Sequence, residues 1–390
     1  MLRSVTSGES HGKGLIGVLE GLPAGLSMDL DFINLQLHRR QLGYGRGGRM
    51  RIEKDQVEIM SGVRHGKTLG SPISFVIQNR DWANWQLPMA VDTVPEGTNV
   101  RSVTRPRPGH VDLAGALKFQ TRDIRDVLER ASARETATRV AIGAFCRLLL
   151  RHFSIQVGSH VVAIGRERVS PEFESLPCEE IFKLDPESAL RCADPEAANR
   201  MMAAIDQAKQ LGDTLGGIVE VAASPVPAGL GSHTQWDLKL DGQVAQALMS
   251  IPAAKAVEIG AGIAGAQSFG SEVHDEIFYD PKIRRFYRKT NRAGGLEAGI
   301  TNGADLRARV YMKPIPTLRK PLMSVDIVTK EVFQAAFERS DTCVVPAAAV
   351  IAEAMVSIVV TRAFLEKFGG DSLKELEANY ANYQRLLDDY

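Results

Sequence analysis

One apolar segment near the end of the sequence restricts the possible folds more than any other feature. Residues 344–365 are long enough to cross a membrane, but they include Glu353 and Arg362 and have a proline at position 346. Charged side chains are unfavourable in the centre of a bilayer. We therefore predict a helix buried in a protein core, and a chain of 390 residues is long enough to build that core.

Composition and charge are those of an ordinary soluble protein. Apolar residues make up 44% and charged residues 24% of the chain, and 47 cationic residues balance 47 acidic ones. The cations are nevertheless concentrated, since residues 38–151 contain 17 Arg and 3 Lys against 11 Asp or Glu. This part of the chain should carry a positive field that attracts anions.

The four cysteines predict a reducing compartment. They are scattered and include no CxxC pair, which fits neither a disulfide scaffold nor a zinc site. The first 14 residues lack the apolar stretch of a signal peptide. We expect a cytoplasmic protein, and because the overall charge is balanced we expect neither a membrane nor nucleic acid as its partner.

Residues 105–139 contain the side chains that most clearly indicate a binding or catalytic site. The segment RPRPGHVD places His110 on a turn rich in proline and glycine, between two sets of arginines. A helical pattern follows and breaks at the small residues Ala131–Ala133, with Arg130 and Arg134 predicted on the same side of the backbone. Such residues suit a site for a small anion, and the alternative is a solvated basic helix face.

Two glycine-containing loops come earlier in the chain. GESHG at 8–12 puts His11 on a tight turn where backbone can approach a ligand, although a solvated histidine is the alternative. GYGRGGR at 43–49 matches the GxGxxG spacing of a dinucleotide-binding loop. A helix is predicted before it and a strand after it, the reverse of what that loop requires. It remains either an arginine-bearing anion loop or an ordinary surface loop.

The remaining pattern favours an α+β fold over a doubly wound parallel sheet, because short strands and long helices do not alternate regularly. The segment at 82–100 is expected to be an exposed loop, and residues 288–317 consist largely of loops that end in the stiff sequence KPIPT. The periodic segments are strands near 155–163 and 218–221, and helices near 30–40, 196–211, 346–367 and 373–387.

Three stretches together resemble the chorismate synthase family. They are GESHG at 8–12 running on to EGLP at 20–23, ERASARET at 129–136, and RSDTC at 339–343 running on to Glu353. The RPGHVD, YGRGGR and KPIPT segments are also similar to the family's. Each motif is modest alone, but they follow one another in the right order over nearly the whole chain, so the resemblance is specific.

The resemblance implies a lyase that converts 5-enolpyruvylshikimate 3-phosphate to chorismate, the last common step towards aromatic amino acids. Phosphate leaves in an anti-1,4 elimination that needs reduced FMN without net redox change. The implied fold is a single β-α-β sandwich over residues 1–390, with helices between two antiparallel sheets and a peripheral helix near 372–388. A homotetramer is implied as well.

The family's pattern also implies roles for particular residues. His11 resembles the acid that protonates the leaving phosphate, and His110 resembles the group that protonates or steadies the reduced flavin. Asp341 looks like the base that manages the proton at flavin N5, with Ser10 and Ser132 as relays. The arginines assigned to the substrate are Arg40, Arg46, Arg49, Arg107, Arg134 and Arg339.

The flavin is assigned to another set of positions. At Ala131 and Ala298 other side chains are common in the family's pattern, so contacts there should come from the backbone. The sequence shows no metal-ligand cluster. The residues assigned to the flavin are Arg130, Ala131, Ser132, Ala253, Ala298, Lys313, Pro314, Ile315, Pro316, Thr317 and Arg339.

Two other functions remain open from the sequence. One is a flavin reductase that turns FMN over with NAD(P)H; otherwise NAD(P)H is an indirect reductant used by a separate flavin reductase. The other is a non-enzymatic nucleic-acid-binding protein that uses the basic first third, with affinity falling steeply as salt rises. The second alternative leaves Asp341, the KPIPT segment and the two histidines unexplained.

Overall fold

A computed structural model describes residues 1–47, 54–98, 100, 102–320, 322–334 and 341–390. The strands, in chain order, are β1 (Arg3–Ser7), β2 (Gly14–Glu20), β3 (Glu58–Ser61), β4 (Val63–Arg64), β5 (Lys67–Thr68), β6 (Ile73–Gln78), β7 (Gln156–Ile164), β8 (Glu167–Arg168), β9 (Gly217–Ser224), β10 (Ala254–Ile259), β11 (Ile277–Asp280), β12 (Arg285–Arg288), β13 (Leu296–Glu297), β14 (Ile300–Thr301), β15 (Leu306–Met312), β16 (Met323–Val325) and β17 (Val332–Gln334).

The helices match the predicted periodic segments and add several short ones. Asp29 caps the first helix by accepting a hydrogen bond from the Phe32 N–H at 2.9 Å. The helices, in chain order, are α1 (Leu30–Gln41), α2 (Asp112–Phe119), α3 (Arg125–Ala131), α4 (Thr136–His152), α5 (Cys178–Phe182), α6 (Pro195–Leu211), α7 (Leu240–Met249), α8 (Gly262–Ala266), α9 (Gly270–Val273), α10 (Val345–Phe368) and α11 (Leu373–Asp388).

Two antiparallel sheets enclose a layer of helices. The first sheet has the strand order β1-β2-β6-β3 and the second has the order β10-β15-β9-β7-β8. α4 packs on β2 of the first sheet, and α10 packs on β7 and β9 of the second. α4 and α10 also pack against each other and against α1. The predicted α+β class, with helices between two antiparallel sheets, is confirmed.

α10 is the central element of the core. In the described part of the chain it is the one helix apolar and long enough to span a membrane, yet 89% of its most apolar window is buried inside the protein. It approaches α4 closely at Gly143, where an added Cβ would lie 2.4 Å from the Ala354 Cβ. The core-helix prediction is therefore confirmed, and its polar residue Glu353 is enclosed with it.

Three further segments, predicted as strand or loop, have different outcomes. The strand expected at residues 50–53 lies outside the described residues. The strand expected from Val57 appears as β3, which pairs with β6. Residues 306–312, which fell within the predicted loop region, form β15 in the middle of the second sheet.

Candidate active site

The turn after β1 carries two of the predicted catalytic residues. Ser10 is buried, and its backbone N–H donates to the Glu129 carbonyl at 3.0 Å. The backbone N–H of His11 donates to the Glu129 carboxylate at 2.9 Å, and the ring Nδ1 lies 2.9 Å from the same oxygen. The Glu129 side chain is 2% exposed and that of His11 is 20% exposed. α3 therefore fixes both the backbone of this turn and the direction of the imidazole.

Glu129 is ionised despite its burial. Burial by itself raises the pKa of Glu129, but the hydrogen bonds and charge of His11 and the charge of Arg125 outweigh it, so the pKa is lowered overall. Arg125 Nη1 donates to Glu129 Oε1 at 3.0 Å. An ionised carboxylate only accepts hydrogen bonds, so His11 Nδ1 carries a hydrogen. A proton given to a substrate would therefore leave from Nε2.

Trp85 covers one face of the His11 ring. The ring centroids are 3.7 Å apart and the planes are inclined by 22°, and the Arg125 guanidinium carbon lies 5.3 Å from the Trp85 centroid. Trp85 Nε1 donates to Asp81 at 2.9 Å. The exposed loop predicted at 82–100 therefore needs a correction at Trp85, which is half-buried because it stacks on the histidine.

The small-residue joint predicted after α3 is a break between two helices. Ser132 has φ −64° and ψ 141°, an extended conformation that ends α3, and a 3₁₀ turn at Ala133–Glu135 leads into α4. The Ser132 hydroxyl accepts a hydrogen bond from the Arg134 N–H at 3.3 Å. The prediction that Arg130 and Arg134 lie on one side of a helix is wrong, because the break sends them to different partners.

Arg130 joins α3 to β1. Its Nη1 donates to the Gly8 carbonyl at 3.1 Å, and its Nη2 donates to the carbonyl and hydroxyl of Thr6 at 2.9 and 2.8 Å. The guanidinium thus braces the turn that carries Ser10 and His11. A cofactor contact at residues 130–132 would come from their backbone or from the Ser132 hydroxyl.

Arg134 and Arg40 converge on one buried carboxylate. Arg134 Nη1 donates to Asp55 Oδ2 at 2.5 Å, and Arg40 Nη1 lies 4.0 Å from the same oxygen. Arg40 also donates to the Thr136 hydroxyl at 2.9 Å and to the Ala133 carbonyl at 2.7 Å. Two guanidinium groups beside one carboxylate leave a net positive charge, which suits the binding of a phosphate or carboxylate group.

Arg46 and Asp341 form a third group. Arg46 Nη1 lies 2.7 Å from Asp341 Oδ2, and the Gly47 N–H donates to Asp341 Oδ1 at 2.6 Å. Gly45 has φ +87°, and a Cβ there would lie 2.9 Å from Ile205 Cγ2, so this position requires glycine. The two other arginines predicted to bind substrate, Arg49 and Arg339, lie outside the described residues.

The turn before α2 holds the second histidine. His110 Nδ1 makes a short hydrogen bond with Asp112 Oδ1, and Arg107 Nε donates to Asp112 Oδ2 at 2.8 Å. Arg107 Nη2 lies 3.1 Å from His110 Nδ1. Burial raises the pKa of Asp112, but its hydrogen bonds with His110 and Arg107 outweigh burial and hold it well below its usual range. Each predicted catalytic histidine thus has a buried, ionised carboxylate at its Nδ1.

The KPIPT segment passes beside this turn. Lys313 Nζ donates to the Gly109 carbonyl at 2.5 Å, and a Cβ on Gly109 would lie 3.4 Å from the Pro316 Cβ. Pro314 is exposed, whereas Ile315 and Thr317 are half-buried. The structure therefore brings residues assigned to the flavin next to the His110 turn.

Ala253 and Ala298 share an unusual backbone conformation. Their φ angles are +72° and +51°, in the left-handed region that side chains other than glycine seldom adopt. The Ala253 carbonyl accepts from the Lys313 N–H at 2.9 Å, which places it beside the KPIPT segment. Ala298 lies in the turn between β13 and β14. In the described part of the chain, no hydrogen bond joins Ala298 to residues 313–317.

Backbone contacts link these groups. The Ile315 carbonyl accepts from the Thr214 hydroxyl at 2.8 Å, and the neighbouring Leu215 N–H donates to the Thr342 carbonyl at 3.0 Å. The Thr342 N–H in turn donates to the Gly45 carbonyl at 2.7 Å. A cavity of about 700 Å³ opens between α1 and residues 42–47 and 54–56, and Arg46 and Asp55 are among its lining residues.

Sequence reasoning missed three residues of this site. Glu129, Asp55 and Asp112 were not singled out, although each is the buried carboxylate that holds a predicted functional side chain. Glu129 and Asp112 could have been found, because both lie inside motifs already quoted. Asp55 carried no signal, since its partner Arg134 is 79 residues away.

Several arginines of the basic part of the chain turn inward in this structure, whereas others, including Arg64, Arg80 and Arg122, are exposed. The carboxylate partners of the inward-facing arginines include Glu353, Asp341, Asp112 and Glu129. The inward-facing arginines give anion-binding chemistry within a cleft, as a small anionic substrate requires. Among the described residues, no three or more His, Cys, Asp or Glu are grouped to hold a metal ion.

Comparisons with known proteins agree with one another. A family model described as "Chorismate synthase" matches residues 2–365. The chorismate synthase of Moorella thermoacetica is 56% identical over 390 residues, and that of Solibacter usitatus is 52% identical over 392, with 100% of each chain covered in both cases. A solved structure titled "Crystal Structure of Chorismate Synthase" superposes with a TM-score of 0.80 at 42% identity, covering 100% of this chain and 99% of that one.

Proposed function

The chain belongs to the chorismate synthase family, and from that premise we propose which of its residues bind the substrate and move the protons. Enzymes of this family are lyases that form chorismate from 5-enolpyruvylshikimate 3-phosphate. A C–O bond to phosphate and a ring C–H bond are broken across a 1,4 relation, and a new ring double bond forms. The chain must hold a substrate with three anionic groups, a phosphate and two carboxylates, and it must protonate the leaving phosphate and accept a ring hydrogen.

The observation that carries the assignment of catalytic residues is the pair of histidines with buried carboxylates. Glu129 holds His11 and Asp112 holds His110, each at Nδ1. A carboxylate in that position fixes the ring and stabilises its cationic form, which is the arrangement needed for proton transfer from the opposite nitrogen. Neither contact would be needed for a solvated surface histidine.

We assign the leaving phosphate to His11. Ser10 lies beside it on the same turn, and the Glu129 carboxylate gives the ring a fixed direction. Proton donation from Nε2 to a phosphate oxygen neutralises the charge that develops as the C–O bond breaks. Trp85 limits access of water to one face of the ring.

The substrate's phosphate and carboxylates are assigned to arginines. Arg134 and Arg40 meet at Asp55, and Arg46 is held by Asp341, so their guanidinium groups are already oriented before a ligand arrives. Orientation reduces the entropy lost on binding. The full set proposed for the substrate is Arg40, Arg46, Arg49, Arg107, Arg134 and Arg339.

The flavin residues suit a flat group that carries a phosphate. Ala253 keeps a left-handed backbone against Lys313, which supplies a cation beside the His110 turn, and Thr317 adds a hydroxyl. Reduced FMN, when bound, supplies the transient electron donation that assists phosphate departure. The residues proposed to hold it are Arg130, Ala131, Ser132, Ala253, Ala298, Lys313, Pro314, Ile315, Pro316, Thr317 and Arg339.

Two groups are proposed to hold protons near the flavin. His110, fixed by Asp112, protonates or steadies its N1 edge. Asp341, with Ser10 and Ser132 as relays, would manage the proton at N5 of a bound flavin. Asp341 suits this role because its carboxylate accepts a hydrogen bond from the Gly47 N–H and pairs with Arg46, and these contacts hold it in one orientation.

The assembly and the source of electrons are further proposals. Exposed apolar side chains on the β11–β12 hairpin, including Ile277, Phe286 and Tyr287, support a homotetramer. The four free cysteines support a cytoplasmic location.

NAD(P)H is proposed as an indirect reductant that acts through a separate flavin reductase. Oxidation of NAD(P)H by the purified protein and FMN alone would instead assign the reductase activity to this chain.

One experiment tests the function itself. Phosphate release from 5-enolpyruvylshikimate 3-phosphate is measured under anaerobic conditions, with and without reduced FMN. Release only with reduced FMN, with chorismate formed in equal amount, is the expected result. Equal release without flavin, or release without chorismate, would contradict the proposal.

A further inference from the structure

A second cluster of charged side chains lies behind the active site. Glu353 of α10 is fully buried and accepts hydrogen bonds from Arg39 at 2.7 and 2.9 Å, from Arg147 at 2.8 Å and from Arg191 at 3.2 Å. The Ser159 hydroxyl donates to it at 2.7 Å. Three guanidinium groups therefore surround one carboxylate, and the function described above uses none of them.

The cluster has more positive charge and more donors than Glu353 can satisfy. The Arg191 side chain is 5% exposed, and its Nε and Nη1 have no hydrogen-bond partner among the described residues; the same holds there for the Nε of Arg39. Burial lowers the pKa of Arg191 to about 10, with Glu353 opposing and Arg39 adding to the effect, so the group is still charged at neutral pH. Asp185 contributes less than Glu353 does. Buried cations with unmet donors are unfavourable unless an anion is present.

The backbone of Arg191 has an unusual conformation that hydrogen bonds hold in place. Its φ is +55°, a conformation that long side chains avoid. The Arg191 N–H donates to the Ser188 hydroxyl at 3.0 Å, and the Arg191 carbonyl accepts from the Val161 N–H at 2.8 Å. These bonds keep the strained residue in place and direct its guanidinium at Glu353.

A cavity of about 580 Å³ opens onto the cluster between α1, α4, α5 and β7. Its volume lies in the range of small-molecule sites. Phe32, Ile181, Phe182 and Leu184 give it apolar walls. Arg151 stands at the mouth, with its guanidinium carbon 4.5 Å from the Phe32 ring centroid.

We propose that this cavity binds a small carboxylic acid with an apolar, arene-sized body, at a site separate from the active site. The carboxylate would meet the unpartnered nitrogens of Arg191 and Arg39, and the body would lie against Phe32 and Phe182. An inorganic anion would satisfy the arginines but leave the apolar walls without a partner. A neutral arene would leave the buried cations as they are.

The site is distinct because α1 separates it from the catalytic groups. Arg39 points to Glu353, whereas its neighbour Arg40 points to Thr136 and Asp55. Successive residues on a helix lie about 100° apart around its axis, so one helix can serve two sites. A ligand of this cavity therefore does not compete for the residues assigned to the substrate.

Calorimetry with benzoate as the probe tests the proposal. The full chain is first saturated with 5-enolpyruvylshikimate 3-phosphate in the absence of flavin, so that the active-site arginines are occupied and no turnover occurs. We expect one benzoate bound per chain, no detectable binding of benzamide, and inorganic phosphate bound at least about tenfold more weakly.

Variants locate the binding. Arg191→Met should weaken benzoate binding by about tenfold or more, because a charge-assisted hydrogen bond is lost. Arg151→Gln, at the exposed mouth, should weaken it by about threefold, and Leu184→Trp should block it by filling the cavity. Arg166→Gln is the matched control, since Arg166 is exposed and does not line the cavity. Melting curves followed by circular dichroism identify any variant that fails to fold.

Three results would overturn the proposal. They are no benzoate binding once the active site is saturated, equal affinity in wild type, Arg151→Gln and Leu184→Trp, and phosphate binding as tight as benzoate. The last result would mean an adventitious ion only. If Arg191→Met does not fold, the Arg151 and Leu184 variants still decide the question, because both positions lie at the edge of the cluster.

Discussion

Glu129 holds His11 by two hydrogen bonds of 2.9 Å, one from the backbone N–H and one from the ring Nδ1, across 118 residues of sequence. The first contact fixes the turn and the second fixes the imidazole. A histidine held in this way can transfer a proton without first being ordered. Glu129 is therefore a positioning residue, and its removal should impair proton transfer by His11.

We expect His11→Asn to lower turnover by about two to four orders of magnitude, since general acid catalysis is lost. Glu129→Gln should lower it by a similar factor of about 10² to 10⁴, because an amide can present a donor where the ring needs an acceptor. Single-turnover phosphate release measures both. The control is His152→Asn, a surface histidine 2.7 Å from Glu377, which should keep wild-type turnover. Wild-type turnover in His11→Asn would remove His11 from the mechanism.

His110 and Asp112 should behave as a second pair. His110→Ala is expected to lower turnover by about two to four orders of magnitude. Asp112→Asn leaves the ring without its anionic partner and should reproduce part of that loss in kcat, with a smaller rise in KM because Arg107 also loses its carboxylate partner. Steady-state kinetics under anaerobic conditions separates kcat from KM. If Asp112→Asn raised KM alone, Asp112 would act on the substrate through Arg107 and not through His110.

Asp341→Asn tests the proposed base. The amide oxygen can still accept from the Gly47 N–H, which now lies 2.6 Å from Asp341 Oδ1, so the fold should survive. We expect flavin binding to be retained and turnover to be lost. Flavin titration by fluorescence and anaerobic turnover measure the two properties. An unfolded product would show that Asp341 is structural, and Asp237→Asn, at an exposed position, serves as the control.

Arg134→Lys should raise KM more than it lowers kcat. Lysine keeps the positive charge beside Asp55 but loses the planar fork that binds phosphate or carboxylate in two places, a loss of about tenfold or more. The matched control is Arg200→Lys, an exposed arginine that contacts Glu167. A fall in kcat with unchanged KM would place Arg134 at the reacting atoms and not in substrate binding.

The stability of the protein should depend on acid through Glu353. Burial raises the pKa of Glu353, but the charges of Arg39, Arg191 and Arg147 outweigh it, so its pKa in the folded protein is well below the ordinary value. A lowered pKa contributes stability that is present above the unfolded value of about 4.3 and is lost as the pH falls through the folded value.

Glu353→Gln measures that contribution. At neutral pH the variant should lose about 3–5 kcal/mol of unfolding free energy, because three buried cations lose their counter-ion. Below about pH 4 the difference from wild type should shrink, since wild-type Glu353 is then being protonated on unfolding. Urea unfolding at several pH values gives both results. Glu366→Gln, exposed on the same helix, should change little. A difference that grew as the pH fell would contradict the assignment.

Much of the fold was predictable because local pattern controls local structure. Helical periodicity near residues 30–40 predicted α1, and the apolar run at 344–365 predicted a helix that had to be buried. Where the pattern was interrupted, prediction was weaker. The sequence predicted a break near Ser132 but not the change in chain direction that the break causes. Arg130 and Arg134 were therefore predicted on one side of a helix, whereas they contact different partners.

Short motifs that are contiguous in the chain were enough to identify the family, the reaction and most of the residues proposed for it. Tertiary structure decided which carboxylate holds each cation. Glu129 meets His11, Asp55 meets Arg134, and Glu353 meets Arg39, and each pair spans a long stretch of sequence. A charge finds its partner through folding and not through periodicity, since burial makes an unpaired charge unfavourable wherever the backbone happens to bring it. For the same reason, only the structure shows that the neighbours Arg39 and Arg40 serve two different sites.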